Sequence, residues 1–141
     1  MLIFKTENKY ILFNRRKFLK LIGLSGFFPA KVIIGEKEEK KIYLGDFFIA
    51  GFKYYEGEEV IKELKEGEEL KFKRQKENEY DEKAIEIYSG NGKKLGYIPM
   101  DLNFIPANIM DQEIKIAGNI SGIDHSAESW EKVTVSIYQI V

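Results

Sequence analysis

Residues 84–98 read Ala84-Ile85-Glu86-Ile87-Tyr88-Ser89-Gly90-Asn91-Gly92-Lys93-Lys94-Leu95-Gly96-Tyr97-Ile98. Ile85 and Ile87 alternate with Glu86 and Tyr88, and Asn91-Gly92 supplies residues that tolerate positive φ in a tight turn. A returning strand over 94–98 completes the clearest hairpin in the chain. Just before it, residues 69–75 place Leu70 and Phe72 on one face and Lys71 and Lys73 on the other, which predicts a half-exposed strand with a basic outer face. Further out, the apolar, aromatic-rich run 46–52 predicts a first strand. Val60, Ile61 and Leu64 fall at helical spacing within 58–65, with acidic residues in the first turn and Gly67 beyond, which predicts a two-turn helix. Pro99 and Pro106 bracket one or two helical turns before Asn108. Ile114, Ile116, Gly118 and Ile120, then Val133, Val135 and Ile137, keep a period of two on either side of the loop 122–130 and predict the last two strands.

About six short strands in a hundred residues bury their apolar faces economically by closing into a small barrel. The expected fold is therefore mostly β (α+β): an OB-like six-stranded barrel with one or two short helices. Phe47, Phe48, Phe72, Leu95 and Trp130 are its expected core aromatics and aliphatics.

The chain has 141 residues, 44% of them hydrophobic and 32% charged, enough for one ordinary domain and an appendage. With no cysteine and one histidine, it lacks the usual zinc ligands, a thiol nucleophile and a disulfide framework, so neither a metal nor a cofactor is expected. The net charge of −1 conceals two unlike pieces: residues 1–41 carry +6 and residues 42–141 carry −7. A polyanion drawn to the second piece must find a local basic patch, because the summed field repels it.

Residues 14–26 read Asn-Arg-Arg-Lys-Phe-Leu-Lys-Leu-Ile-Gly-Leu-Ser-Gly. Arg15-Arg16 followed by Phe18, Leu19 and Lys20 and a short apolar stretch resembles a twin-arginine export signal. The apolar run 21–34 is shorter than the roughly 20 residues of a spanning helix and contains Pro29 and Lys31. No small-x-small cleavage site follows, since Phe28 stands two positions before Ala30. The alternative reading is an amphipathic N-terminal helix. Residues 1–41 are assigned to a leader and charged linker, residues 42–141 to the folded domain; use of the leader would make the protein periplasmic or exported, and otherwise it is cytoplasmic.

Three catalytic readings fail on spacing. Gly90 and Gly92 stand two apart with Lys94 after Lys93, whereas a phosphate loop needs four residues between its glycines and a Ser or Thr after the lysine. His125 shares one loop with Ser126, Ser129 and Asp124, but triads are assembled in space from rigid elements. Asp81 and Glu82 are adjacent, and adjacent side chains seldom aim at one substrate. The loop 76–84 is more informative. Asn78 and Asp81 suit turn capping, and Tyr80 offers a flat ring and a hydroxyl of the kind single-strand binders stack on bases. Lys53, Tyr54 and Tyr55 offer a similar pairing of cation and rings.

Gly51-Phe52-Lys53-Tyr54-Tyr55-Glu56-Gly57, Gly67 with Leu70, Asn78-Glu79-Tyr80-Asp81-Glu82-Lys83-Ala84-Ile85 and Gly96-Tyr97-Ile98-Pro99, in this order, resemble a HIRAN domain across about residues 47–140. The resemblance implies an OB-like barrel that captures single-stranded DNA at a free 3′ end. It implies phosphate contacts for Lys53 and Tyr55, stacking of Tyr80 on the terminal base, a hydrogen bond from the terminal hydroxyl to Asp81, and Tyr97 at the groove's border; Tyr54 and Asn78 flank these positions. Met100 and Asp101 stand after Pro99 where a DNA-binding member would carry basic residues.

The sequence thus points to a non-enzymatic single-stranded nucleic-acid-binding module without an ATPase motor. Its rival is an exported accessory domain that binds a protein or a cell-envelope ligand. The leader has its own test. Residues 1–41 fused to a reporter active only after folded export are expected to give signal, and Arg15→Lys with Arg16→Lys to abolish it; an inactive parent fusion sinks the export reading.

Overall fold

The computed structural model describes residues 2–6, 9–13 and 38–141, and the chain divides into two compact units, Met1–Glu38 and Glu39–Val141. In the first, β1 (Leu2–Thr6) and β2 (Lys9–Phe13) pair antiparallel, with Leu2 opposite Phe13 and Thr6 opposite Lys9. The arginine pair and the apolar stretch after it lie outside the described residues.

The second unit contains β3 (Lys41–Phe48), a 3-10 turn (Phe52–Tyr54), α1 (Gly57–Val60), β4 (Glu69–Arg74), β5 (Ile85–Tyr88), β6 (Lys94–Tyr97), α2 (Phe104–Asp111), β7 (Ile116–Ile123), a second 3-10 turn (Ser129–Glu131) and β8 (Val133–Ile140). The six strands form one sheet in the order β3-β8-β7-β4-β5-β6, every neighbour antiparallel. It is the expected mostly-β, OB-like arrangement, with one difference. The strand ladder does not close: β4 and β7 share only the pairs Glu69–Asn119 and Leu70–Gly118, and the two ends of the sheet meet at one bridge, Ala50–Tyr97. Its two backbone hydrogen bonds are both 2.9 Å.

The first strand begins earlier than its apolar run and ends at Phe48 rather than continuing to residue 52, because Gly51 turns the chain with φ 73° and Phe52 enters a 3-10 turn. The polar residues Lys41 and Lys40 still pair, Lys40 exchanging two backbone hydrogen bonds with Val141. The helix at 58–65 shrinks to the single turn α1, yet Val60, Ile61 and Leu64 all reach the core as their spacing predicts. Gly67 takes φ 85° and donates its N–H to Ile120, which starts the chain toward β4. In the hairpin's turn Gly92 takes positive φ and Asn91 does not, and the Ser89 carbonyl accepts the Gly92 N–H.

The core is built from branched aliphatics: Ile49, Ile85, Ile87, Leu95, Ile98, Ile120, Val133 and Val135 are all buried, around Phe52 and Phe47. Two expected core aromatics are not there. Phe48 is 45% exposed because its neighbour Phe47 takes the inward position and successive strand residues point to opposite faces. Trp130 is 61% exposed, carried on the short 3-10 turn ahead of β8. Phe72 is half-buried and lies over Gly118, where any β-carbon would collide with its ring.

Gly96 is the residue on which the single closing bridge depends. Its φ is 147°, and a β-carbon there would run into the Ala50 carbonyl and Ile49. Gly96→Ala is expected to lower stability by about 2–4 kcal/mol in urea unfolding. Gly90→Ala, whose new methyl would meet nothing closer than 3.7 Å, is expected to change it by under about 0.5 kcal/mol.

Candidate nucleic-acid interface

Register places a polar cluster on the outer face of β4, β5 and β6. Lys71 pairs with Tyr88, Lys73 with Glu86, Glu86 with Tyr97 and Tyr88 with Lys94. Lys94 and Tyr97 are three apart, a spacing that on a regular strand sends side chains to opposite faces. Leu95 is an extra, bulged residue between them, since Ile87 faces Gly96 and Tyr88 faces Lys94. The bulge returns both side chains to the same face.

There the Lys94 ammonium donates to Glu86 Oε1 at 2.8 Å and to the Tyr97 hydroxyl at 2.9 Å. It also lies 4.3 Å from the Tyr55 ring centroid and 4.5 Å from that of Tyr97, within cation–π range of both. The two rings meet edge to face with centroids 5.7 Å apart. Burial acts against the Lys94 charge, but the hydrogen bonds to Glu86 and Tyr97 outweigh it, and its pKa is raised above the ordinary 10.5. Because the folded value is the higher one, this contribution to stability is complete below the ordinary lysine value and is lost only as pH climbs beyond it. Burial first, then Tyr97, pushes the Tyr55 phenol upward as well.

The network continues into the loop between β4 and β5. The Tyr97 hydroxyl donates to Gln75 Oε1 at 2.9 Å, and Asn78 Nδ2 donates to the same oxygen at 3.0 Å. Asn78 Oδ1 accepts the backbone N–H groups of Tyr80 and Asp81 at 2.9 and 3.0 Å. Asp81 Oδ1 accepts the Lys83 N–H at 2.9 Å, and its other oxygen accepts from Asn103 Nδ2 at 2.6 Å. The turn-capping reading of Asn78 and Asp81 is thus realised, and it fixes the loop carrying Tyr80. The Tyr80 ring is 88% exposed.

Helix α2 braces that loop from the other side. Lys83 Nζ donates to Asn108 Oδ1 at 2.9 Å, and Arg74 forms a two-pronged pair with Asp111 at 3.0 and 3.2 Å while donating to the Ala84 carbonyl. A carboxylate in the last turn of a helix opposes the helix dipole. Arg74, Lys76 and Lys83 surround Asp111 and offset this, and the Arg74 hydrogen bond holds its carboxyl below the usual range.

The structure therefore brings Tyr55, Asn78 and Tyr97 into one hydrogen-bonded and stacked network, with Asp81 joined to it through Asn78. Lys53 and Tyr54 sit on the 3-10 turn just ahead of Tyr55, exposed, with Tyr54 at 81%. Sequence reasoning missed Lys94, Glu86, Gln75 and Asn103. Lys94 and Glu86 are hidden by the bulge. Asn103 precedes α2 without capping it through its side chain, and its buried amide donates instead to Asp81. The 124–129 loop is an ordinary turn in which Asp124 accepts from Ser126. Among the described residues no three His, Asp or Glu side chains gather as a metal site requires, and no helix is long and apolar enough to cross a membrane.

Residues 42–140 match the family model of the HIRAN domain. This chain belongs to the HIRAN family. Among solved structures, a protein from Lactobacillus plantarum is similar with a TM-score of 0.64 and 22% identity, covering 72% of this chain and 97% of that one. The HIRAN domain of human HLTF is similar with a TM-score of 0.51 and 22% identity, covering 71% and 78%. The HLTF HIRAN domain in its DNA-bound conformation gives a TM-score of 0.47 at 23% identity, covering 75% and 82%. No curated protein matches the chain in sequence. The first two of these likenesses agree with the fold, and the family match assigns the domain.

The cluster yields a stability prediction. The Glu86 side chain is 8% exposed and that of Lys94 21%, so Lys94→Met strands a buried carboxylate and is expected to cost about 2–4 kcal/mol in chemical denaturation. Adding Glu86→Gln removes the stranded charge, and the double variant is expected to recover more than half of the loss. Equal stability of the single and double variants would show that the pair is not coupled.

Proposed function

We propose that this HIRAN domain is a non-catalytic module that binds single-stranded DNA at a free 3′ end. The observation that carries the reading is Tyr80: a large aromatic side chain held almost wholly in water on a loop whose backbone is pinned by Asn78 and Asp81. An exposed aromatic on a mobile loop loses much of its stacking gain to ordering, whereas a fixed one does not. Tyr80 stacks on the terminal base. Asp81 accepts the terminal 3′ hydroxyl's hydrogen bond through lone pairs left over from Lys83 and Asn103, which also orient it. Lys53 and Tyr55 face the phosphates, with Tyr54 and Tyr97 bordering the groove and Asn78 setting the loop.

Domain charge argues for modest affinity. With −7 over residues 42–141 and most site cations engaged in ion pairs, few counterions are released on binding, and stacking supplies the larger share. The rival reading, an exported accessory domain with a protein or envelope ligand, draws on the same acidic balance and on Arg15-Arg16. Under it the protein works outside the cytoplasm; under the DNA reading it works beside nucleic acid in the cytoplasm.

Fluorescence anisotropy with the full chain separates them. A labelled strand with a free 3′ hydroxyl is expected to bind more tightly than the same strand with a 3′ phosphate. Tyr80→Ala should weaken binding by about 1–3 kcal/mol, and Asp81→Asn, which keeps the loop's shape, should erase the preference for the hydroxyl. Equal binding of both ends removes end capture, and no binding at low salt leaves the envelope-ligand reading standing.

A further inference from the structure

The outer face of β4 carries two lysines that nothing in the folded domain uses. Outward positions alternate along this strand as Glu69, Lys71 and Lys73, then Gln75 beyond its end, while Leu70 and Phe72 face inward. Lys73 lies across from Glu86 and Lys71 across from Tyr88, so the lysines continue the face that bears Lys94, Tyr97 and Tyr55. Around the site, Arg74, Lys76, Lys83, Lys93 and Lys94 all hold carboxylates. Lys71 and Lys73 have no ion-pair partner among the described residues and are exposed. Glu86, the acidic neighbour that would cancel Lys73, is already taken by Lys94 at 2.8 Å.

We propose that Lys71 and Lys73, with Tyr88 beside them, form a second contact surface that holds the phosphodiester backbone of a single DNA strand on the 5′ side of the captured end. The proposal rests on the end-capture reading and extends it. From the loop bearing Tyr80, the face descends through Gln75 and Tyr97 to Lys73 and then Lys71, so a strand leaving the loop crosses the two cations in turn. They stand about 7 Å apart along β4, close to the spacing of successive phosphates in an extended strand. Glu69, the next outward residue, ends the track, which limits it to two phosphates. Met100 and Asp101 leave the segment after Pro99 without a cation, so this is the side on which the acidic domain accepts a polyanion.

The test compares single strands of about four and about twelve nucleotides, which span the site sizes of OB folds, each with a free 3′ hydroxyl and each titrated into the full chain at several salt concentrations. The longer strand is expected to bind the parent roughly tenfold more tightly, with the salt slope steeper by about 1.4, the value for two phosphates on single-stranded DNA. Lys71→Gln with Lys73→Gln should remove that advantage and the extra slope while leaving the short strand unchanged. Lys62→Gln with Lys65→Gln, the same charge change away from this face, should alter neither.

A length advantage that survives in the Lys71/Lys73 variant, or that falls equally in the Lys62/Lys65 variant, overturns the track. Equal affinity of the two strands for the parent does so too. Loss of the 3′ hydroxyl preference with the Lys71/Lys73 dependence intact would instead overturn end capture and keep the track. If neither strand binds, both readings fall.

Discussion

Two hydrogen bonds between Ala50 and Tyr97 hold the geometry on which the rest of this domain depends. Among the described residues they form the one backbone bridge between the two ends of a six-stranded sheet, and they sit where the core and the candidate interface meet. Ala50 precedes the turn that carries Lys53, Tyr54 and Tyr55; Tyr97 carries the ring against which Tyr55 stacks. The bridge brings the two ends of the open sheet together, and Tyr55, five residues beyond Ala50, is thereby set edge to face with Tyr97. Gly96 makes the approach possible because it has no β-carbon to strike the Ala50 carbonyl. The same bridge that joins the sheet's ends positions the aromatic pair.

The polar face around that closure is unusual in how its charges are used. Lys94 is pinned by Glu86 and two aromatic rings, while Arg74, Lys76 and Lys83 converge on one carboxylate at the end of α2. Most cations near the interface are thus structural, and they rigidify the loop that presents Tyr80. An acidic domain with such a surface recognises by shape and stacking more than by field. That division of labour gives little long-range attraction for a polyanion.

Much of the fold was legible because the period of two is a strong signal when branched aliphatics carry it. The hairpin from Ile85 to Ile98, the strands ending the chain and the basic outer face of β4 all follow from it. What stayed hidden has identifiable causes. The bulge at Leu95 breaks the alternation that would otherwise separate Lys94 from Tyr97, so from the sequence the central cation of the cluster falls on the face opposite Tyr97. Phe47-Phe48 and Trp130 show the limit of composition: large aromatics read as core, yet only the register decides which of two adjacent rings is inside, and a short turn lifts the tryptophan into solvent. The family resemblance found the Asn78–Ala84 loop, whose capping hydrogen bonds were also readable from residue type. It did not find Asn103, whose link to Asp81 spans 22 residues and leaves no local trace.

The strand order has a consequence for how the chain reaches this state. The meander β4-β5-β6 pairs neighbours in sequence, and its contacts close within a few tens of residues. β8, the last strand of this domain in chain order, lies between β3 and β7 and pairs the first strand of the domain, Lys41 opposite Ile140. Until Val133–Ile140 leaves the ribosome, β3 lacks its strand partner and β7 has one edge open. Val133–Ile140 therefore completes the sheet: without it β3 has no strand partner and β7 keeps only its short pairing with β4.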